Sequence, residues 1–198
     1  MLAILKRLLL LLSCIMLSAC HSAAVRSNNA CDILMDQPSW YRYHQFYAKK
    51  YAVPSTTVLA FIAFESDFKP TARPVKSWLI RDVIPWQYHS SSYGYSQATN
   101  AAWTDFQNAN PYSYYTRDDY PSSIAFISWY LYNYAADKED VFDKYVIYHD
   151  GPNKSASKVP HATKVHAKKV SGLSNKYKQQ LNSCAAALAW YDTWQPMI

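Results

Sequence analysis

Apolar residues recur along this chain at spacings of three and four, strict alternation is rare, and no internal repeat is visible, so the pattern predicts a mainly α protein. Trp40, Tyr43, Tyr47 and Tyr51 share one face of a first helix, which Pro54 closes because the residue before a proline is pushed out of the helical region. A second helix is expected from Ser55 or Thr56, both good capping types, to about Ser66, with Pro70 soon after. Its apolar positions are Val58, Phe61 and Ile62, and Glu65 follows them by seven, four and three residues, which puts a carboxylate on the inward face. From Thr71 to Tyr93, Pro-adjacent turns, the run Trp86-Gln87-Tyr88 and the serines 90 to 92 read as one long loop, a length that commonly serves function. Helical spacing resumes over 98–106, 122–134 and 141–148. A lysine-rich helix follows Pro160, and a last helix, capped near Ser174, aligns Tyr177, Leu181, Cys184, Leu188 and Tyr191.

The first residues follow a different plan. Lys6 and Arg7 precede an apolar stretch from Leu8 to Leu17 and the small pair Ser18-Ala19. That stretch is shorter than the ~20 residues of a membrane-spanning helix, so residues 1–19 read as an export signal and are set aside from the fold. Leu17-Ser18-Ala19-Cys20 resembles the lipobox of bacterial lipoproteins, which implies that Cys20 is acylated and becomes the first residue of the mature chain. Ordinary secretion with an unmodified Cys20 is the alternative. His21 follows where inner-membrane retention is marked by Asp, so the same resemblance favours the outer membrane, with the protein facing the periplasm. Residues 20–30 serve as a tether and 31–198 as one globular unit, since the 179 residues from Cys20 onward (198 minus 19) suffice for one domain and are too few for two.

Composition adds three points. If Cys20 is acylated, Cys31 and Cys184 are the pair left in an oxidising compartment, so they form the available intramolecular disulfide; two buried free thiols are the alternative. The 18 Tyr and 7 Trp stand against only 3 Gly, a richness suited either to stacking on sugar rings or to plain core packing. The formal charge of +6 falls to +4 once Lys6 and Arg7 are removed, and seven Lys without any Asp or Glu lie between Gly151 and Tyr191. Such a face suits anionic wall polymers or lipid headgroups, or is simply a solvated helix; no base-reading motif points to nucleic acid.

Glu65 carries the candidate chemistry. At the C-terminal end of its helix, on an apolar face, its ionised form is disfavoured by burial and by the negative helix end, and a carboxyl kept protonated near neutral pH is a general acid. The competing assignment is a structural Glu tied to a basic partner. The segment Ala63-Phe64-Glu65-Ser66-Asp67-Phe68-Lys69-Pro70-Thr71-Ala72 resembles the Glu-Ser segment of the soluble lytic transglycosylase family. Tyr93-Gly94-Tyr95-Ser96-Gln97 resembles that family's Gly-Leu-Met-Gln or Gly-Tyr-Ala-Gln segment, and Tyr145 to Pro152 resembles its Ala-Tyr-Asn-Ala-Gly-Pro segment. The three occur in the family's order over roughly 54–152, and two of the three glycines, Gly94 and Gly151, fall inside them.

The resemblance implies a lysozyme-like helical domain related to goose-type lysozyme, in a lipoprotein branch of the family. It implies that Glu65 is the acid and base, and that Ser66 orients substrate or backbone beside it. Gly94, Tyr95 and Gln97 would shape the floor of a sugar site, and Tyr148 would hydrogen-bond beside the glutamate. Ser123 and His149 stand where the family carries Asn. The substrate implied is the peptidoglycan glycan strand, cut at the MurNAc–GlcNAc bond with closure of a 1,6-anhydro ring. Asp67, two residues from Glu65, points elsewhere on the helix, and Asp118, Asp119 and Asp150 read equally as surface caps. No metal or cofactor is required, and the His and Cys residues show no zinc-ligand spacing. A hydrolytic goose-type lysozyme and an idle wall-binding lipoprotein docked to an envelope or secretion complex remain as rivals.

Overall fold

The structure, a computed structural model, describes residues 29–193 apart from 75, 79–84, 89 and 112. The expected signal, the Cys20 anchor and the tether up to residue 28 lie outside the described residues. Within them the chain forms eight α-helices and one β-hairpin: α1 (Ala30–Asp36), α2 (Pro38–Tyr51), α3 (Ser55–Ser66), β1 (Lys76–Trp78), β2 (Pro85–Tyr88), α4 (Asn100–Ala109), α5 (Tyr120–Tyr134), α6 (Val141–Asp150), α7 (His161–Ser183) and α8 (Ala185–Ala189). A 3-10 turn, Trp190–Thr193, follows.

The centre of the molecule is α3. Every residue from Thr57 to Ile62 is buried, so this helix is apolar all round rather than on one face, and it packs against α2, α5 and α7. Burying side chains of the Val, Leu, Ile and Phe class stabilises by roughly 1.5–3 kcal/mol each, which fixes α3 more firmly than any cap could. Its N-terminus has no side-chain cap; Thr57 and Val58 instead donate to the Pro54 carbonyl. Its end is sharp. Asp67 and Phe68 both adopt left-handed backbone (φ 51° and 57°), and the Asp67 N–H returns to the Ala63 carbonyl. Asp tolerates that region, whereas a bulky residue there is strained by about 1–2 kcal/mol. The reversal folds Phe68 into the core beneath Trp40, whose ring stacks on it at 6.2 Å.

Several expected elements are adjusted. The expected first helix is α2, which Pro38 starts; a short helix that the pattern did not predict, α1, precedes it, capped by the Asn29 side chain at Cys31 N and ended at Gln37. The buried face of α2 is Tyr41, His44 and Tyr47, with Trp40, Tyr43 and Tyr51 half-buried, because α2 lies across α5 and its aromatic band is wider than one stripe. His44 is wholly buried, its pKa pushed down to about 3 by desolvation, and Nε2 meets the Tyr120 hydroxyl at 2.9 Å. The long loop contains a hairpin, with Lys76 opposite Tyr88 and a bulge between Ser77 and Trp78. Pro85 does not prevent this, since it is the first residue of its strand.

The lysine-rich helix does not stop before Ser174. Gly172 costs only about 1 kcal/mol in a helix, and Thr163, Ala167, Val170, Ser174 and Tyr177 form one buried seam, so α7 continues to Ser183. The small residues of that seam let α7 lie close to α3 and α6. Cys184 ends α7 and is joined to Cys31, with the Cα atoms 6.1 Å apart. Ala30 N donates to the Gln180 side chain beside the bridge, so α1 is fastened to the end of α7. The cross-link closes a separation of 153 residues.

Replacing Cys31 and Cys184 together by Ser should therefore cost about 2–5 kcal/mol and lower the melting temperature by roughly 5–15 °C. An unchanged melting curve would show that the bridge contributes nothing to the fold.

Candidate active site

A cleft of about 540 Å³ opens at the C-terminal end of α3. Glu65 reaches it from α3, Ala102 from α4, Phe126 and Tyr130 from α5, and Tyr148, His149 and Asp150 from α6. Gln97 and Ala98, from the turn before α4, and Gly151, just after α6, complete this part of the lining. Glu65 occupies the penultimate position of its helix, as its spacing from Val58, Phe61 and Ile62 predicted.

The Glu65 carboxyl is held by a partner the sequence did not single out. Tyr145 OH donates to Glu65 Oε1 at 2.8 Å. The Tyr145 ring is buried, with edge contacts to Phe61 at 5.3 Å and Phe64 at 5.6 Å, so its hydroxyl has little freedom to leave the carboxyl. Burial raises the Glu65 pKa above its ordinary 4.5, and the Tyr145 hydrogen bond and the charge of His149 oppose that rise without cancelling it. Desolvation penalises the charged form, whereas a donor and a cation favour it. The outcome is a carboxyl that holds its proton more firmly than an exposed Glu does.

Tyr148, expected to bond beside the glutamate, does something else. Its hydroxyl donates to the Ser96 carbonyl at 2.5 Å, and its ring packs on Phe61 and Tyr130, at 5.1 and 5.4 Å. The correction is one helical turn: Tyr145 and Tyr148 share a face of α6, and the earlier one points at Glu65. Their i, i+3 spacing was the available signal, but both were legible only as apolar positions.

The second family-like segment forms a tight turn closed by a bridge between Tyr93 and Ala98. Gly94 has φ 77°, and a Cβ there would lie 1.8 Å from the Arg117 carbonyl oxygen, so no other residue fits without backbone movement. The Gln97 side-chain amide donates to the Ala72 and Gly94 carbonyls, at 2.9 and 2.8 Å, which stitches the turn to the segment after α3 while Gln97 still faces the cleft. Tyr95 is not part of a sugar-site floor. It is buried against Tyr120 and Trp40, at 5.1 and 6.1 Å, and supports the turn from beneath. Ser66 is likewise buried; its hydroxyl donates to the Ile62 carbonyl at 2.9 Å, so it orients backbone within α3. Ser123, buried on α5, donates to the Arg117 carbonyl at 3.3 Å and so braces the strand of backbone that Gly94 abuts. The aromatic richness serves both uses: Tyr95 and Tyr120 are core, with Trp40 half-buried against them, while the cleft wall is formed by Tyr148 and by the cleft-facing edges of the buried Phe126 and Tyr130.

The remaining carboxylates separate by role. Asp119 caps α5 through Ser122 N at 2.9 Å, and Asp67 pairs with Lys69 at the surface. Asp150 differs from both, since it lines the cleft. Its Oδ1 meets His149 Nδ1 at 2.5 Å, and Thr163 Oγ1, from α7, lies 3.3 Å from each of its oxygens.

A model of the family described as the transglycosylase SLT domain matches residues 8–184. No curated protein and no solved structure matches the chain. The match spans most of the chain and takes in all three segments that build the cleft, and the activity it suggests is lytic transglycosylation of peptidoglycan. A helical domain that sets a glutamate of raised pKa in a cleft lined from α3 and α6 is consistent with it, and the chain belongs to the transglycosylase SLT domain family.

Proposed function

We propose that this protein cleaves the MurNAc–GlcNAc β-1,4 bond of peptidoglycan and leaves 1,6-anhydro-MurNAc ends, with Glu65 as its single general acid and base. The observation that carries the reading is the Glu65 carboxyl itself, facing the cleft, its pKa raised by burial, and bonded to the Tyr145 hydroxyl. Glu65 gives its proton to the leaving glycosidic oxygen as the bond from C1 breaks, and the muramic N-acetyl group stabilises C1. The carboxylate so formed accepts the Tyr145 hydrogen bond. It then takes the proton of the muramic C6 hydroxyl as that oxygen closes on C1, and the glutamate is restored. An intramolecular hydroxyl has a large effective concentration over water, which favours ring closure.

One observation favours the hydrolytic, goose-type lysozyme reading: a second carboxylate, Asp150, lines the same cleft. A general base for water must be free to accept a proton. Both Asp150 oxygens lie against Thr163 and one also meets His149, so this carboxylate is committed to its neighbours. The idle-lipoprotein reading is disfavoured by the intact Glu65–Tyr145 pair. Attachment of the protein to the envelope through acylated Cys20, with the outer membrane favoured, is part of the same proposal and rests on the Leu-Ser-Ala-Cys run.

Cys20→Ala should move the protein from the membrane fraction to the soluble periplasm with its melting curve unchanged; wild-type protein already found soluble would remove the anchor. Glu65→Gln keeps the shape and removes the transferable proton, so lysis of purified walls should fall by at least roughly 10²-fold. The same variant reads the linkage. A folded-state pKa raised above 4.5 gives stability that is fully present below that pH and lost as pH rises through the raised value. Wild type should therefore match the Gln variant best in acid and melt progressively lower than it toward neutral pH. Full lysis by the variant, or a melting difference that ran the other way with pH, would remove Glu65 from the role.

A further inference from the structure

We propose that the outward face of α7, which carries Lys168, Lys169 and Lys176, lies against the anionic headgroups of the membrane that holds acylated Cys20. The proposal rests on the lipid-anchor part of the reading above and deepens it, by naming the face of the domain that the bilayer meets.

The face is defined by what it lies opposite to. The buried seam of α7 runs through Thr163, Ala167, Val170, Ser174 and Tyr177. At about 100° per residue, Lys168, Lys169 and Lys176 fall within roughly 60° of the direction opposite that seam, and all three are exposed. Gly172, exposed between them, completes the outward line. Lys164 and Lys178 flank it, and no Asp or Glu occurs between Gly151 and Tyr191, so the helix carries charge of one sign. A basic surface of that kind is drawn to anionic headgroups that come within a Debye length of it.

The chain that leads to the anchor decides what meets this face. Ala30 N donates to Gln180 Oε1 at 2.9 Å, and Cys31 is bridged to Cys184, so the described chain begins against the last turns of α7. Nine residue steps separate Cys20 from Asn29 (29 minus 20), and at ~3.3–3.6 Å per residue they span at most about 30 Å. A 23-residue helix at ~1.5 Å per residue is about 35 Å long, so the bilayer surface is held within one helix length of Gln180. A tether so short makes contact between the face and lipid an intramolecular event, and a high effective concentration lets a few weak charge contacts suffice. A wall polymer has no such tether. Trp190, 78% exposed just beyond α8, stands at the same end of the domain, and an indole suits the headgroup level. Asp32 and Asp36, exposed on α1, oppose an anionic surface there, which favours contact through α7 rather than α1.

Docking of this face leaves the cleft open. Thr163, on the inner seam, meets Asp150 of the cleft wall, and His166 meets Phe64 of α3 with ring centroids 5.3 Å apart, so the cleft lies on the core side of α7. The thickness of a helix, about 10 Å, then stands between it and the lipid.

The test uses the full-length acylated protein in vesicles of phosphatidylethanolamine and phosphatidylglycerol. Gly172→Cys supplies a labelling thiol where an added Cβ meets nothing within 4 Å, and Asn108→Cys, exposed on α4, supplies a reference; the native Cys31 and Cys184 are bridged. A fluorophore at each site is quenched by lipid that carries a spin label on its headgroup. Quenching at position 172 should exceed that at position 108 several-fold. It should fall to the level at 108 in vesicles of phosphatidylcholine alone, and in the triple variant Lys168→Glu, Lys169→Glu, Lys176→Glu; should that variant unfold, the lipid comparison decides alone. Equal quenching at the two sites, or an excess at 172 that neither change removes, would overturn the proposal. Binding of Cys20→Ala protein to purified walls that the triple variant loses, without excess quenching at 172, would overturn it too and assign the face to wall polymers. The anchor is read separately, because wild-type protein whose mass shows an unmodified Cys20 removes anchor and docking together, whereas acylated protein with equal quenching removes the docking alone.

Discussion

The hydrogen bond from Tyr145 to Glu65 has meaning only because both groups are held in a region from which water is largely excluded. That exclusion is the work of α3, which is buried on every side from Thr57 to Ile62 and has no polar face on which to rotate. A helix so fixed delivers the side chain of its last turn to one place. The left-handed pair Asp67 and Phe68 then turns the chain away at once, so that the carboxyl is left at the mouth of a cleft and not under a following segment. The strain falls mainly on Phe68, at about 1–2 kcal/mol, and a core of this kind can sustain it.

Around this fixed acid the cleft is assembled from segments far apart in the chain, each braced by backbone hydrogen bonds. The turn from Tyr93 to Ala98 is stitched to Ala72 by Gly94 N and the Gln97 amide, and to Arg117 by Tyr95 N. Tyr148 then ties α6 to that turn through the Ser96 carbonyl. The polar groups that the family resemblance offered as substrate contacts are therefore largely occupied with one another. They make the cleft rigid, and rigidity is what lets a single acid serve a transition state whose charge develops at one spot.

What was legible in the sequence follows from which interactions are local. The bounds of α3 and the inward placement of Glu65 were readable, because helical periodicity and Pro54 are local signals. The Cys31–Cys184 bridge followed from counting cysteines. The short helix α1 and the run of α7 through Ser174 were not readable, because each depends on what packs against the helix: the end of α7 in one case and a seam of small residues facing α3 and α6 in the other. Tyr95, Tyr145 and Tyr148 show the same limit within the site. All three are tyrosines in family-like segments; the packing of Tyr145 against Phe61 and Phe64 of α3 decides which hydroxyl meets the glutamate, and the contacts of Tyr95 with Trp40 and Tyr120 make its ring core. Asp150 and His149 were even less visible, since the group that joins them to the scaffold, Thr163, lies on a different helix.

The central claim is that a single acid acts with the substrate's own hydroxyl as nucleophile, and the composition of the released fragments tests it most directly. Mass analysis of muropeptides released from purified wall by the wild-type protein should show 1,6-anhydro-muramic ends, lighter by one water than hydrolysis products and inert to borohydride at that end. Dominant fragments that carry the full mass of hydrolysis and are reduced by borohydride would contradict the account and make the protein a hydrolase built around the same glutamate.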